Sequence, residues 1–444
     1  LTESTVSTPA ELLGALEARR RDIRVVGVLQ GMPSITLPPG TRLAGGRLIF
    51  GARGVVLSAD NRLEDVEIDC PPHEVAVGNS TDDDLGILTM NHVRTKGQIL
   101  IVVDGSVRRG AVVIDGLEVT EADLRGRELR PHGYGVDVLQ GALTVWNRHH
   151  DPDVVIEVEV RGVSAGSAES PIRGSGIFVG GRCDETGRPT GGTVVAAVLE
   201  TATVVIDGGI PTGTPDLISG GVFVQAGADV ESVVNNGPTT TLGANDMALD
   251  NWGRVKRWAA NAPVTTKGPS GIGFVNFGDL DELDIQSPIE TFGVGARGFN
   301  LYDGTLRKAA FDSIATHGDG AVGIQVAKPL PDLTVRHDVT TAGGKGTSLV
   351  RGEQVQLQAV AVSVKAGGHL GVLKIGADIR TTGDKVVSLE VLGTVDHLDI
   401  GGRVLAEGEA SDAAHTTQNA APLLDGVEMA APRGRTLVRV DQGA

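Results

Sequence analysis

Cysteine, aromatic residues and long apolar runs are all scarce in this sequence, and each shortage removes a class of protein. Two cysteines, Cys70 and Cys183, do not make a disulfide framework, and the plain reading is two unpaired thiols. No run of about 18 apolar residues occurs, so no helical membrane span and no membrane partner are expected. The first residues show no charged-then-apolar leader, and localisation stays open. Aromatic side chains number only 8 Phe, 3 Trp and 2 Tyr. Basic residues are also in deficit, 39 against 56 acidic, for a net charge of −17. A nucleic-acid partner needs a cationic surface and is excluded on that ground. An acidic polymer is a poor partner too, unless a metal or a local basic patch intervenes.

Glycine is what abounds, at 63 of 444 residues. There is no Gly-X-Y period, which excludes a collagen helix. Glycine with plentiful Val, Ile, Leu and Thr points instead to many short strands joined by tight turns. Threonine recurs at Thr241, Thr266, Thr291, Thr316 and Thr341, with glycine two places later each time, at Gly243, Gly268, Gly293, Gly318 and Gly343. An apolar column keeps the same step: Leu249, Phe274, Phe299, Ile324, Leu349. So does a column of small residues: Ala248, Gly273, Gly298, Gly323, Ser348. The glycine column continues to Gly368, slips to Gly383 and resumes at Gly408, so one repeat is irregular. A fixed step of this size means a solenoid. Within a repeat, Val322, Ile324 and Val326 alternate with Gly323, Gln325 and Ala327, which is strand periodicity. The expected fold is all-β, a parallel β-helix with rungs of about 25 residues.

With these columns the chain resembles the right-handed parallel β-helices of the pectate-lyase-like superfamily. The start of the chain adds to the likeness. In "STPAELLGALEARRRDIRVVGVLQG", Thr8 is placed to cap a helix, Pro9 suits its first position and Glu11 completes a capping box. Such a helix covers the open end of the coil. The expected organisation is a helical cap over 1–25, the β-helix over 26–408, and a C-terminal loop and final strand over 409–444. The resemblance implies a carbohydrate-active protein, with inulin fructotransferases as an analogy of class. By the same analogy it implies a homo-oligomer, a trimer.

Strand alternation from the apolar column puts 247, 249 and 251 inward and 246, 248, 250 and 252 outward. Asn251 and Asn276 then stack inside as a structural amide ladder. Outside, the small column forms a floor, and Trp252, Phe277 and Tyr302 form an aromatic strip beside it. Sugar rings suit such a groove, because their C–H faces stack on aromatic rings and their hydroxyls bond amides and carboxylates. The substrate expected here is a neutral oligosaccharide, and the reaction hydrolysis or intramolecular transfer at a glycosidic bond. That chemistry takes two carboxyl groups, about 5–5.5 Å apart for retention and about 6.5–9.5 Å for inversion. The candidate catalytic residues are Asp246, Asp250 and Asp303. Candidate substrate ligands are Trp252, Phe277, Tyr302, Asn245, Asn300 and Gln325, with Arg297 and Glu290 either joining them or forming a buried ion pair. No cofactor and no metal are called for. A non-catalytic scaffold or adhesin and a polysaccharide lyase are the alternatives. "RHHDPD", Arg148 to Asp153, is read as a solvated loop rather than a metal site.

Overall fold

The structure is a computed structural model that describes residues 3–350 and 353–440, the side chains of Leu349 and Val350 excepted. It is an all-β parallel β-helix with one short helix near the start of the chain. That helix, Pro9–Glu17, is capped as its sequence requires. The Thr8 side chain accepts from the Glu11 N–H, and the Glu11 carboxylate accepts from the Thr8 backbone. Leu12 and Leu16 are its buried face.

The chain forms two compact units, Leu1–Gly209 with Val222–Val234, and Ile210–Gly221 with Asn235–Ala444. In the second unit each rung contributes three strands. Thr239–Thr241, Val264–Thr266, Ile289–Thr291, Ile314–Thr316 and Val339–Thr341 pair in parallel, one rung on the next. Asp246–Asn251, Ile272–Asn276, Arg297–Leu301 and Val322–Val326 form the second wall. Arg254–Ala260, Asp279–Ile285, Thr305–Phe311 and Pro329–Val335 form the third. The threonine column is buried along its length.

The glycine column two residues on is a steric demand. A Cβ on Gly268 would stand 1.8 Å from the Gly243 carbonyl oxygen, and one on Gly293 equally close to that of Gly268. The turns are stacked backbone on backbone, which no side chain permits. This is why the 25-residue mark is so regular in the sequence.

The slip of the period has a structural cause. Thr341 pairs with Thr381 rather than with a residue one ordinary step away. The extra length is an antiparallel hairpin, Lys345–Val350 against Glu353–Gln358, inserted into the rung. Ser348 therefore leaves the small column and bonds through its hydroxyl to the Gly295 carbonyl, at 2.7 Å. The apolar column continues at Val362, paired to Ile324, and not at Leu349, whose side chain lies outside the described residues. Beyond it, the stretch read as a loop after residue 409 carries a further strand, Asp412–Thr417, paired with Val387–Val391 and with Leu437–Val440.

In the first unit Ile23, Leu43, Leu63, Met90, Ile114, Val160 and Leu199 are successive interior partners. Their steps are unequal, so the coil exists there without a readable period. The outer wall on another side runs through Val55–Leu57, Val75–Asn79, Gln98–Val103, Gly141–Asn147 and Ser175–Gly180. The longest steps carry insertions, 122–140 and 181–192.

Candidate functional site

The candidates in the second unit divide into those the fold consumes and those it leaves at the surface. Asp246 is fully buried. Its carboxylate accepts from the Gly243 N–H at 2.7 Å and from the Ser219 hydroxyl at 2.5 Å, so it locks a turn. Asn245 has left-handed backbone, φ 58°, and its amide donates to the carbonyls of Thr214 and Leu217. It too is a buried turn element rather than a sugar ligand.

The simple alternation fails at the small column. A Cβ on Gly273 would stand 2.4 Å from Cγ2 of Ile289, an interior side chain. The next residue, Phe274, also faces the interior, 5.1 Å from the Trp258 ring centre. Two consecutive positions thus point inward, and the alternation shifts by one. Column 248 is an interior contact and not an open floor. Position 246 lies on the interior side, as a Cβ at its partner position Gly271 would touch the buried Thr266 side chain at 3.0 Å. Position 250 remains outward, in a column with the half-buried Gln325, and so does 252. Asp246 and Asp250 therefore do not share a face.

Asp250 is outward yet sealed, at 1% exposure, and neither carboxyl oxygen has a hydrogen-bond partner among the described residues. Burial pushes its pKa well above the ordinary carboxylate range, against a small opposing pull from the Trp252 indole. Burial thus favours its protonated, neutral form. Trp252, Phe277 and Tyr302 are vertical neighbours as expected, but Trp252 is only 3% exposed. Phe277 and Tyr302 stack on each other with ring centres 5.2 Å apart and planes 8° from parallel. Their faces serve each other, which leaves the strip no open platform on Phe277. Asn300 is fully buried and accepts from the Gln325 amide at 3.4 Å. Arg297 is sealed, with its pKa lowered by burial and Tyr302 as the opposing influence, while Glu290 stands exposed. The buried Arg297–Glu290 pair is not formed. Asp303 pairs with Lys328 at 2.8 Å and caps Gly304. These aspartates are not assembled into a hydrolytic pair. The inner amide ladder does form, Asn251 donating to Asn276 at 2.8 Å.

The first unit holds an open cleft that the sequence reading passed over. Its volume is about 710 Å³, within the range of ligand sites. The outer wall supplies Trp146 and Arg148. Insertion 122–140 supplies Arg130 and His132, and insertion 181–192 supplies Arg182. The Trp146 indole N–H donates to the Gly181 carbonyl at 3.2 Å, and its ring carries the Arg148 guanidinium 5.0 Å from its centre. Arg182 and Arg130 donate to the carbonyls of Arg148 and Arg125, and neither has a carboxylate partner among the described residues. Arg148 has one at long range, Asp104 at 3.5 Å. Asp184, also in the lining, is occupied by Thr186 and the Arg188 N–H.

His132 and Asp137 face each other across a tight hairpin whose turn places Tyr134 at φ 52° and Gly135 at φ 82°. His132 Nδ1 lies 2.7 Å from Asp137 Oδ1. A carboxylate only accepts, so Nδ1 carries a proton, and in the neutral imidazole Nε2 is then an acceptor. The His132 carbonyl is held by the Cys183 thiol and the Gln225 amide. Burial pushes the Cys183 thiol up to about 11, so at neutral pH it holds structure and is no nucleophile.

No family model matches this chain, and no curated protein or solved structure matches it. The functional reading rests on geometry. No group of three or more metal-ligating side chains occurs among the described residues. The "RHHDPD" stretch is a self-bonded loop in which His149 accepts from the Asp151 N–H and Asp151 pairs with Arg108. The signal that could have found the cleft is the cluster Arg125, Arg127, Arg130 in a strongly acidic chain, followed at once by His132.

Proposed function

We propose that this protein is a carbohydrate-active β-helix of the pectate-lyase-like kind that binds an acidic glycan in the cleft of its first unit and cleaves it by elimination. The observation that carries this reading is the convergence of Arg130, Arg148 and Arg182 on one cavity beside the His132–Asp137 pair. This is a local basic patch in a chain of net charge −17, and it reverses the earlier preference for a neutral sugar. Guanidinium groups pair with planar carboxylates in a fork geometry. A uronic acid bound there has its carboxylate neutralised, which acidifies the C–H bond next to it. His132 Nε2 takes that proton. The electron pair forms a carbon–carbon double bond and expels the glycosidic oxygen at the adjacent carbon, and that oxygen takes a proton from the protonated imidazole or from water. Asp137 fixes the imidazole tautomer and steadies its positive charge.

The test is a panel of neutral and uronate-containing oligosaccharides, followed by the ultraviolet absorbance of the unsaturated product. The native protein and Arg182→Ala are compared. Absorbing product from uronates alone, weakened by the substitution, supports the reading. Turnover of neutral sugars, or indifference to Arg182→Ala, sinks it. Binding of uronates without product would make the protein a glycan-binding module instead.

A further inference from the structure

The hairpin that carries His132 is too small to hold itself. It pairs over two residues on each side, His132–Gly133 against Val136–Asp137, with Tyr134 and Gly135 as the turn. Hairpins of this size are at best marginal in water unless something packs on them. Both turn residues have positive φ, 52° and 82°, as a two-residue hairpin turn requires. Asparagine or glycine is at ease in the first of these places, and a bulky aromatic is strained there. Such strain persists only where the surroundings impose it.

The second insertion, 181–192, is what imposes it. A Cβ on Gly187 would stand 2.6 Å from Cζ of Tyr134 and 2.9 Å from its Cδ2, so the ring lies directly on the glycine. Gly187 is buried, while Glu185, Thr186 and Arg188 around it are exposed. With φ 78° as well, the position takes glycine on two counts. This seat is a closed turn. The Gly187 N–H donates to the Asp184 carbonyl at 3.0 Å and the Asp184 N–H to the Arg188 carbonyl at 2.9 Å, while the Asp184 carboxylate accepts from the N–H groups of Thr186 and Arg188. The same insertion supplies the Cys183 thiol, which bonds the His132 carbonyl at 3.3 Å. The hairpin therefore meets the insertion twice, on the strand that bears the imidazole and at the turn.

We infer that Tyr134 is a positioning residue for the elimination. Its ring, seated on Gly187, docks the hairpin on the second insertion and fixes where His132 stands in the cleft. This rests on the elimination reading of that cleft. Tyr134 is not among the residues that line the cavity, so it acts through His132 and not on the sugar. Arg182 belongs to the second insertion too, so one contact sets the base against an arginine that holds the uronate carboxylate.

The experiment compares the full chain with Tyr134→Phe, Tyr134→Asn and Gly187→Ala, all carrying Cys70→Ala so that Cys183 is the one thiol left. Three quantities are read: the rate at which an aromatic disulfide reagent labels Cys183, kcat and KM on a uronate oligomer, and the thermal midpoint. Tyr134→Asn suits the turn better and removes the ring. Its midpoint should hold, and Cys183 should be labelled several times faster as the hairpin releases it. Its kcat should fall about 10- to 100-fold with KM little changed, the effect of a base displaced by about 1 Å. Gly187→Ala should do the same. Tyr134→Phe keeps the ring and should keep most of the native kcat and labelling rate. Native labelling in Tyr134→Asn, or faster labelling with native kcat, overturns the positioning role and leaves the cleft standing. If the native chain gives no unsaturated product while labelling still responds to Tyr134→Asn, the elimination reading falls, and the positioning role with it.

Discussion

A Cβ on Gly273 would lie 2.4 Å from Cγ2 of Ile289, and 2.6 Å from the carbonyl oxygen of Gly298 on the next rung. Both obstacles are fixed, one a packed core side chain and the other ladder backbone. Gly273→Ala should therefore destabilise the protein by about 1–3 kcal/mol, as overpacking does. Arg257→Ala, on an exposed position of another wall, should change little. Denaturant midpoints decide it. A neutral Gly273→Ala would mean that the small column does face open space.

Asp250 supplies the opposite case, a residue whose removal should help. Its carboxyl is sealed without hydrogen-bond partners among the described residues, beside Val275 in the ladder. In the unfolded chain it ionises near pH 4, and in the fold it stays protonated to a much higher pH. The unfolded state then binds fewer protons, so stability falls as pH rises above about 4. Asp250→Val extends the Val275 column and should raise stability at pH 7 by about 1–3 kcal/mol, with less gain near pH 4. Glycan turnover should be unchanged. Loss of turnover with an intact fold would return Asp250 to the chemistry.

The contrast between Gly273 and Asp250 shows what was legible in the sequence. Identical rungs need identical side chains wherever turns stack, so Thr241, Gly243 and their successors announced the β-helix. Face assignment failed because two adjacent positions, 248 and 249, both turn inward within one strand. No strict alternation rule carries across such a break. The first unit has the same coil, but its partners Leu63, Met90, Ile114 and Val160 are unequally spaced. No column could be read there. The cleft was hidden for a related reason. Arg130, Arg148 and Arg182 come from segments that only the coil brings together.

Asp412 is the clearest acid-sensitive group in the second unit. Burial would raise its pKa, but bonds from Arg435 and His415 outweigh that and hold it down to about 2. A depressed carboxylate contributes stability above its unfolded pKa, near 4, and loses it as pH falls toward 2. Asp412→Asn should be less stable than native protein at pH 5, and the two should converge by pH 2. Urea midpoints measured across that interval test it, and a constant gap would remove the role of this ion pair. Arg435 is largely exposed, so the gap at pH 5 should be modest.

The last prediction concerns Asp137, which stands behind His132 and touches no substrate in the proposed reaction. Asp137 accepts the Nδ1 proton of His132 at 2.7 Å, and in the proposed reaction this leaves Nε2 as the base. Asp137→Asn keeps the shape of the side chain but offers an amide donor as well as an acceptor, so the imidazole can settle with the proton on Nε2. In that tautomer there is no base where the sugar's C–H lies. Turnover should fall by a factor of about 100 to 10,000, the range seen when an orienting carboxylate is lost from such a pair. Binding should persist, because Arg130, Arg148 and Arg182 are untouched. The expected signature is a drop in kcat with KM little changed, and a change in the pH profile of kcat. His132→Ala should remove the same activity, and the double variant should be no worse than His132→Ala alone, since the two residues act as one unit. A full additive loss in the double variant would show that Asp137 acts by some route other than the imidazole, and would dismantle the proposed base.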